Sequence, residues 1–408
     1  MYNFAPYLYI FKRQQAPHKP SAAQIPPMPY PLPYILLALF YAALGYLYHR
    51  TDDERHRRYV NTGALLAFVL FFGFRGYLLT DWMSYYPYYH DLEWTDILNY
   101  FMPNEQGLEP GFALLCMVCK MLSGGSYHFL EFTVTCVFLG LLYRFSLRYT
   151  HNISLVLMLF LAFNGVSIVC NLLRNTIAIG IFLNAIPYLE QRRPLPYFGL
   201  CLLAMLFHVS ALIYVPLYFF LHLFTSRWVY LGVFIVANVA FITRFSIVQQ
   251  MLEAMQLSGE AAMKADAYTG KMTSGLAVFS IGYLERLLTC TLIILYHDKL
   301  KELHNGSGVI VNGVLLFLIM FYFFSEFDVL AHRVSNLFIF GYWIIWLDFI
   351  RCFYYENNRR LMAGFIVAYT VIHMWPLNNA PDFLYENVLF GAQSYNERLY
   401  YHSRNFHE

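Results

Sequence analysis

The chain has 408 residues, 59% of them hydrophobic and only 13% charged, with a formal net charge of +2. A soluble protein carries about 25% charged residues, so this is the composition of a polytopic, all-α membrane protein. The near-neutral charge gives no basis for a nucleic-acid partner. Aromatic residues reach 19%, with 35 Tyr and 38 Phe; they fit interfacial belts or the lining of a sugar path. Most of the seven cysteines lie inside apolar runs, where cysteine behaves as a small apolar residue. The Cys116-x-x-Cys119 pair lacks the second pair or histidine that a zinc site needs.

Residues 1–33 form a Pro-rich N-terminal extension, and the alternating prolines of 25–33 favour extended backbone over helix. Tyr7–Phe11 is too short for a signal-peptide core, and Lys12 and Arg13 follow rather than precede it. A transmembrane helical domain is expected over 34–377. Tyr34–Tyr48 and Val60–Leu79 are its first spans, joined by a basic loop with Arg50, Arg55, Arg57 and Arg58. An external loop over 80–110 follows, with six carboxylates and no Lys or Arg. Its Trp and Tyr residues, Tyr85 and Tyr86 among them, suit an interface or a carbohydrate surface. Pro110–Leu122 has about 13 apolar residues and cannot cross a ~30 Å core, so it is expected to be re-entrant or interfacial.

Tyr127–Tyr143, Ser154–Cys170 and Asn175–Leu189 read as successive spans. Pro196–Phe224 is too long for one span and too short for two; it predicts a short hairpin with His208 near its outer tip. Val229–Phe245, Leu276–Tyr296, Val309–Phe324, Val334–Ile350 and Leu361–Trp375 complete about twelve crossings, leaving 378–408 as an external tail. Every basic loop then falls on one side, the cytoplasmic side by the positive-inside rule.

This topology brings Arg75, Arg174, Arg333, Asp81, Glu326 and His208 to one outer depth. Arginines on that face run against the usual bias and call for an anion. The planar guanidinium binds phosphate through two parallel bonds and stays charged. Each residue also has a structural explanation. Arg75 can snorkel, Arg333 can pair with Glu326 two turns away, and His208 can cap a backbone group. Glu285 and Arg286, mid-span, line a cavity or tie helices together. No metal, P-loop or dinucleotide motif is present, so no cofactor is expected.

Four ordered blocks resemble the EpsG family, the Wzy-like polymerases of bacterial surface polysaccharides. They are Phe74-Arg75-Gly76 with Thr80-Asp81 and Tyr85/Tyr86; Glu109-Pro110-Gly111-Phe112; Leu173-Arg174-Asn175-x-Ile177-Ala178; and Phe207-His208-x-Ser210-Ala211-Leu212. They cover roughly residues 70–220, and a looser likeness continues through Glu326 and Arg333. Asn175 stands where the family often has Gln, and Leu79 where it usually has Gly. The resemblance implies polymerisation of undecaprenyl-diphosphate-linked oligosaccharide repeat units into an exopolysaccharide, capsule or O-antigen. It implies a site on the outer face of the bacterial cytoplasmic (inner) membrane, open to the periplasm or exterior, and leaves a GT-C-like architecture open. The implied partners are lipid-linked donor and acceptor glycans, membrane lipid, and a chain-length regulator and flippase of the same pathway. Arg174, His208, Glu326 and Asp81 are then the expected catalytic residues. Arg75, Arg174, Arg333, Tyr85, Tyr86, Glu109, Asn175 and Ser210 are expected to bind diphosphate and glycan. A lipid-linked oligosaccharide flippase, an O-antigen ligase-like enzyme and a membrane O-acyltransferase are the alternatives.

Overall fold

The computed structural model describes residues 29–93, 108–243, 280–325 and 328–406, and these are all-helical apart from isolated bridges. Glu326, Asp96 and Glu105 of the 80–110 loop, and nearly all of the N-terminal extension lie outside the described residues. Four helical segments are long and apolar enough to cross a membrane: Leu32–Arg50 (α1), Tyr127–Ser146, Leu330–Cys352 and Glu356–Leu377; a bent pair makes a fifth. The other apolar segments are short, bent or doubled back, so length and apolarity alone do not count twelve crossings.

Helix α2, Glu54–Phe68, begins at Asp53, whose carboxylate accepts the Arg55 N–H, and continues as a π-turn over Val69–Gly73. A helix leaves its last carbonyls without internal partners. Here they are taken by side chains, two of them more than 300 residues away in sequence. Asn387 Nδ2 donates to Leu70 O (2.9 Å), Tyr385 OH to Phe71 O (3.0 Å) and Arg75 Nη1 to Phe72 O (2.6 Å). The C-terminal segment is bound to this turn by backbone as well, through Gly76 N to Glu386 O and Val388 N to Phe74 O.

Trp82–Asp91 (α3) and Pro110–Ser123 (α4) are short helices that pack beside Tyr127–Ser146 (α5). The expected continuous span over 154–170 is broken instead. Ile153–Ala162 (α6) and Gly165–Asn171 (α7) meet at 81°. Asn164 turns the chain through the left-handed region (φ 59°), which asparagine tolerates better than most residues. A break at this depth must satisfy its own carbonyls: His373 Nδ1 lies 2.9 Å from Ala162 O, and Trp343 Nε1 donates to Phe163 O at 3.3 Å. Asn164 Nδ2 reaches Asn336 Oδ1 at 2.9 Å.

Leu173–Glu190 (α8) is about 27 Å long at 1.5 Å per residue, with Arg174 at one end and Glu190 at the other. Pro194–Met205 (α9) runs back along it, and the chain then reverses through a 3-10 turn over Val209–Tyr214. Arg192, before α9, donates to Tyr218 O (2.6 Å) and lies 3.3 Å from His222 Nδ1, after the reversal. Both ends of this segment are therefore together, and His208 sits at its turn.

Candidate functional site

The site gathers at the Arg174 end of α8. Glu109 and Pro110 start α4, with proline at the first helical position, where its missing N–H costs nothing. Gly111 donates to Leu206 O at 2.8 Å, and a Cβ there would stand 2.7 Å from the same oxygen. Only glycine lets the helix start approach the hairpin so closely. Phe112, fully buried, packs its ring 5.5 Å from that of Tyr85. Thus each residue of Glu109-Pro110-Gly111-Phe112 has a separate task at one junction.

Glu109 is the hub. Its Oε2 accepts from Arg174 Nη1 at 2.6 Å and its Oε1 from the Val209 N–H at 2.9 Å. Arg174 Nε donates to the Tyr85 hydroxyl at 2.8 Å. Among the described residues only Nε and Nη1 of Arg174 are used, and the side chain is 20% exposed. The remaining face of the guanidinium is held in place and open. Next along α8, Asn175 Oδ1 accepts from Ser210 Oγ at 2.8 Å, tying the helix to the hairpin turn.

His208 caps that turn: its Nδ1 accepts the Ser210 N–H at 3.0 Å and lies 3.8 Å from Glu109 Oε1. A neutral imidazole accepting at Nδ1 carries its proton on Nε2. The outer nitrogen is therefore a donor. The sequence expected His208 either to cap a backbone group or to act in catalysis, and the Ser210 N–H bond is that cap.

Asp81 lies in the turn between the π-turn and α3, outside the membrane-spanning helices. Arg333 Nη2 is 4.0 Å from its Oδ1. Burial pushes the Asp81 carboxyl up to about 6, with Arg333 and then Arg174 opposing the rise. Asp81, Arg174, Arg333, His208 and Glu109 share one electrostatic neighbourhood. Asn171, which sequence reasoning missed, anchors the turn. Its Oδ1 accepts from the Thr80 N–H (3.1 Å), Thr80 Oγ1 (3.2 Å) and the Asp81 N–H (2.9 Å). The only signal in the sequence was a lone amide in an apolar stretch three residues before Arg174.

Two expected residues stand apart. Arg75 is wholly buried: its Nη1 and Nη2 are held by Phe72 O, Thr135 Oγ1 (2.9 Å) and Val169 O (3.3 Å), with Glu131 at 3.4 Å, while its Nε makes no hydrogen bond among the described residues. It ties the π-turn to α5 and α7 and shares no bond with the Arg174 network among the described residues. Equal membrane depth did not make it a neighbour of Arg174. Tyr86 stacks on Tyr395 of the C-terminal segment at 4.1 Å and 12°, outside the Arg174 network.

The EpsG family model matches residues 59–389 of the chain. No similar curated protein and no similar solved structure was found.

Proposed function

The chain belongs to the EpsG family, which places it among membrane proteins of polysaccharide biosynthesis, and from that premise we propose that it is a lipid-diphosphate-dependent glycosyltransferase. It polymerises undecaprenyl-diphosphate-linked repeat units at the outer face of the bacterial inner membrane. The observation that carries this reading is the open, preorganised guanidinium of Arg174, locked by Glu109 and Tyr85 beside Asp81, Arg333 and His208.

The acceptor hydroxyl oxygen attacks the anomeric carbon of the donor glycan, and the carbon–oxygen bond to the diphosphate breaks. The departing diphosphate gains negative charge, which fixed cations in a low-dielectric site stabilise; Arg174 does this first, with Arg333 beside it. Asp81 takes the hydroxyl proton. Its raised carboxyl is matched to a base working near neutral pH. His208 donates from Nε2 to a substrate oxygen. Glu109, Asn175 and Ser210 act as positioning residues: the Glu109 carboxylate, Asn175 Oδ1 and Ser210 Oγ are committed to Arg174 and to the hairpin turn.

The test uses purified full-length protein with a single native lipid-diphosphate repeat unit and no nucleotide sugar. A ladder of products is expected. Transbilayer movement of the substrate without glycan growth would support the flippase instead, and transfer only to a different acceptor lipid would support a ligase.

Gly111→Ala probes the same geometry without touching a charged group. The added methyl overlaps Leu206 O and forces the hairpin turn away from Glu109. A displacement on the order of 1 Å in positioning groups costs about a hundredfold in rate. Polymer formation is expected to fall by that order with membrane abundance retained, read by gel ladder and immunoblot on the same membranes.

A further inference from the structure

At the end of the bundle remote from Arg174 two cavities adjoin. One, of about 460 Å³, is lined by Arg148, Tyr149, Glu190, His222, His304 and Arg351. The other, of about 320 Å³, shares Arg148 and adds Arg144 and Arg193, with Asn184, Tyr188 and Gln191 beside them. Neither contributes to the site described above, since α8 separates the two ends by about 27 Å.

The walls are built. The left-handed residues Asn305 (φ 51°) and Gly306 (φ 80°) end the helix His297–Leu303, with Gly306 N bonded to Lys301 O at 2.8 Å. Gly308 N then donates to His222 O at 2.9 Å, fixing this loop to the returning arm of the hairpin. Glu190 accepts from Arg148 Nη2 (2.5 Å) and from Ser307 Oγ (2.6 Å), so one carboxylate joins α8, the segment after α5 and the loop.

The charge is unbalanced. Four arginines, Arg144, Arg148, Arg193 and Arg351, face two carboxylates, Glu190 and the buried Asp348. Both carboxylates are engaged: Glu190 as above, and Asp348 by His304 Nε2 at 2.9 Å and Arg351 Nη1 at 3.2 Å. Arg144 and Arg193 have no ion pair among the described residues. The buried Tyr149 hydroxyl, on the wall of the larger cavity, has beside it Arg148, which can only donate, and its own O–H finds no acceptor among the described residues. A buried donor without an acceptor calls for an explanation, and here it stands among arginines at a cavity wall.

We infer that the adjoining cavities are a binding site for a phosphate-class anion, supplied either by the headgroup of an anionic membrane lipid or by a soluble phosphate compound. Arginine forks match phosphate oxygens in pairs, and the Tyr149 hydroxyl adds a further donor. Basic recesses between helices on the positively charged side of a membrane protein hold anionic headgroups in this way.

The experiment uses the delipidated full-length protein in neutral detergent, with lipid retention and thermal unfolding as readouts. The probes are dioleoyl phosphatidylglycerol, dioleoyl phosphatidylcholine and inorganic phosphate. Phosphatidylglycerol is expected to be retained and to raise the unfolding temperature, while phosphatidylcholine is not. Stabilisation by inorganic phosphate equal to that by phosphatidylglycerol would identify the soluble source and uphold the site. In the R144Q/R148Q/R351Q variant the affinity is expected to fall about tenfold or more, the loss of charge-assisted bonds. The R144Q/R351Q pair keeps the Arg148–Glu190 clamp and must weaken binding in the same direction, which covers a triple variant that fails to fold. Equal binding of phosphatidylglycerol and phosphatidylcholine with no response to phosphate, or unchanged affinity in the folded variants, overturns the inference. None of these readouts depends on glycan polymerisation.

Discussion

Arg174→Ala is expected to abolish polymer formation while leaving the protein in the membrane at normal abundance. Removing one preorganised donor from a site that stabilises developing negative charge costs about 10²–10³ in rate, and Arg174 supplies several. The fold should survive. Glu109 keeps the Val209 N–H at 2.9 Å, and the helix–hairpin tie between Asn175 and Ser210 at 2.8 Å does not involve the arginine. Arg174→Lys is expected to recover little. One ammonium cannot hold both the Tyr85 hydroxyl and the Glu109 carboxylate and still present a planar pair of donors to a diphosphate. The ladder assay with normalised membranes measures both variants. Long-chain polymer at normal levels from Arg174→Ala would remove the central element of the proposed mechanism.

The resemblance blocks gave the order in which the site's parts occur, and the structure supplies the reason for each residue type. Arg174 and Asn175 are adjacent because one faces Glu109 and the next faces Ser210. Reading charge and apolarity along the chain yields position along the membrane normal. It yields nothing about direction around the bundle. Arg75 shows the consequence: it shares the depth expected of Arg174 but faces Glu131 inside the protein. The break at Asn164 was equally hidden, because an apolar run reads as one span whether or not distant His373 and Trp343 take its freed carbonyls. The hairpin was visible, since a segment of intermediate length between two basic loops has few other solutions. The tautomer of His208 depends on a hydrogen bond two residues away. Sequence showed the residue and left its direction of proton transfer open.

Asp81→Asn is expected to lower turnover by about 10²–10⁴, the contribution of a positioned general base, and to remove the acidic limb of the pH–rate profile. The sign follows from burial. A base works in its ionised form, and the Asp81 carboxyl has been pushed up to about 6. Wild-type activity should therefore climb as the pH rises through about 6 and level off above it. Asparagine preserves the backbone N–H bond to Asn171, so the turn stays anchored and the loss reports chemistry. Arg333 supplies a second reading of the same group. It stands 4.0 Å from Asp81 and opposes the effect of burial, so Arg333→Gln should move the limb to higher pH as well as lower the rate. A purely structural Asp81 would give reduced abundance and an unmoved limb. A limb that persists in Asp81→Asn and disappears in His208→Gln would return the base to the histidine, and the Nδ1 bond to Ser210 would then have to open during the reaction.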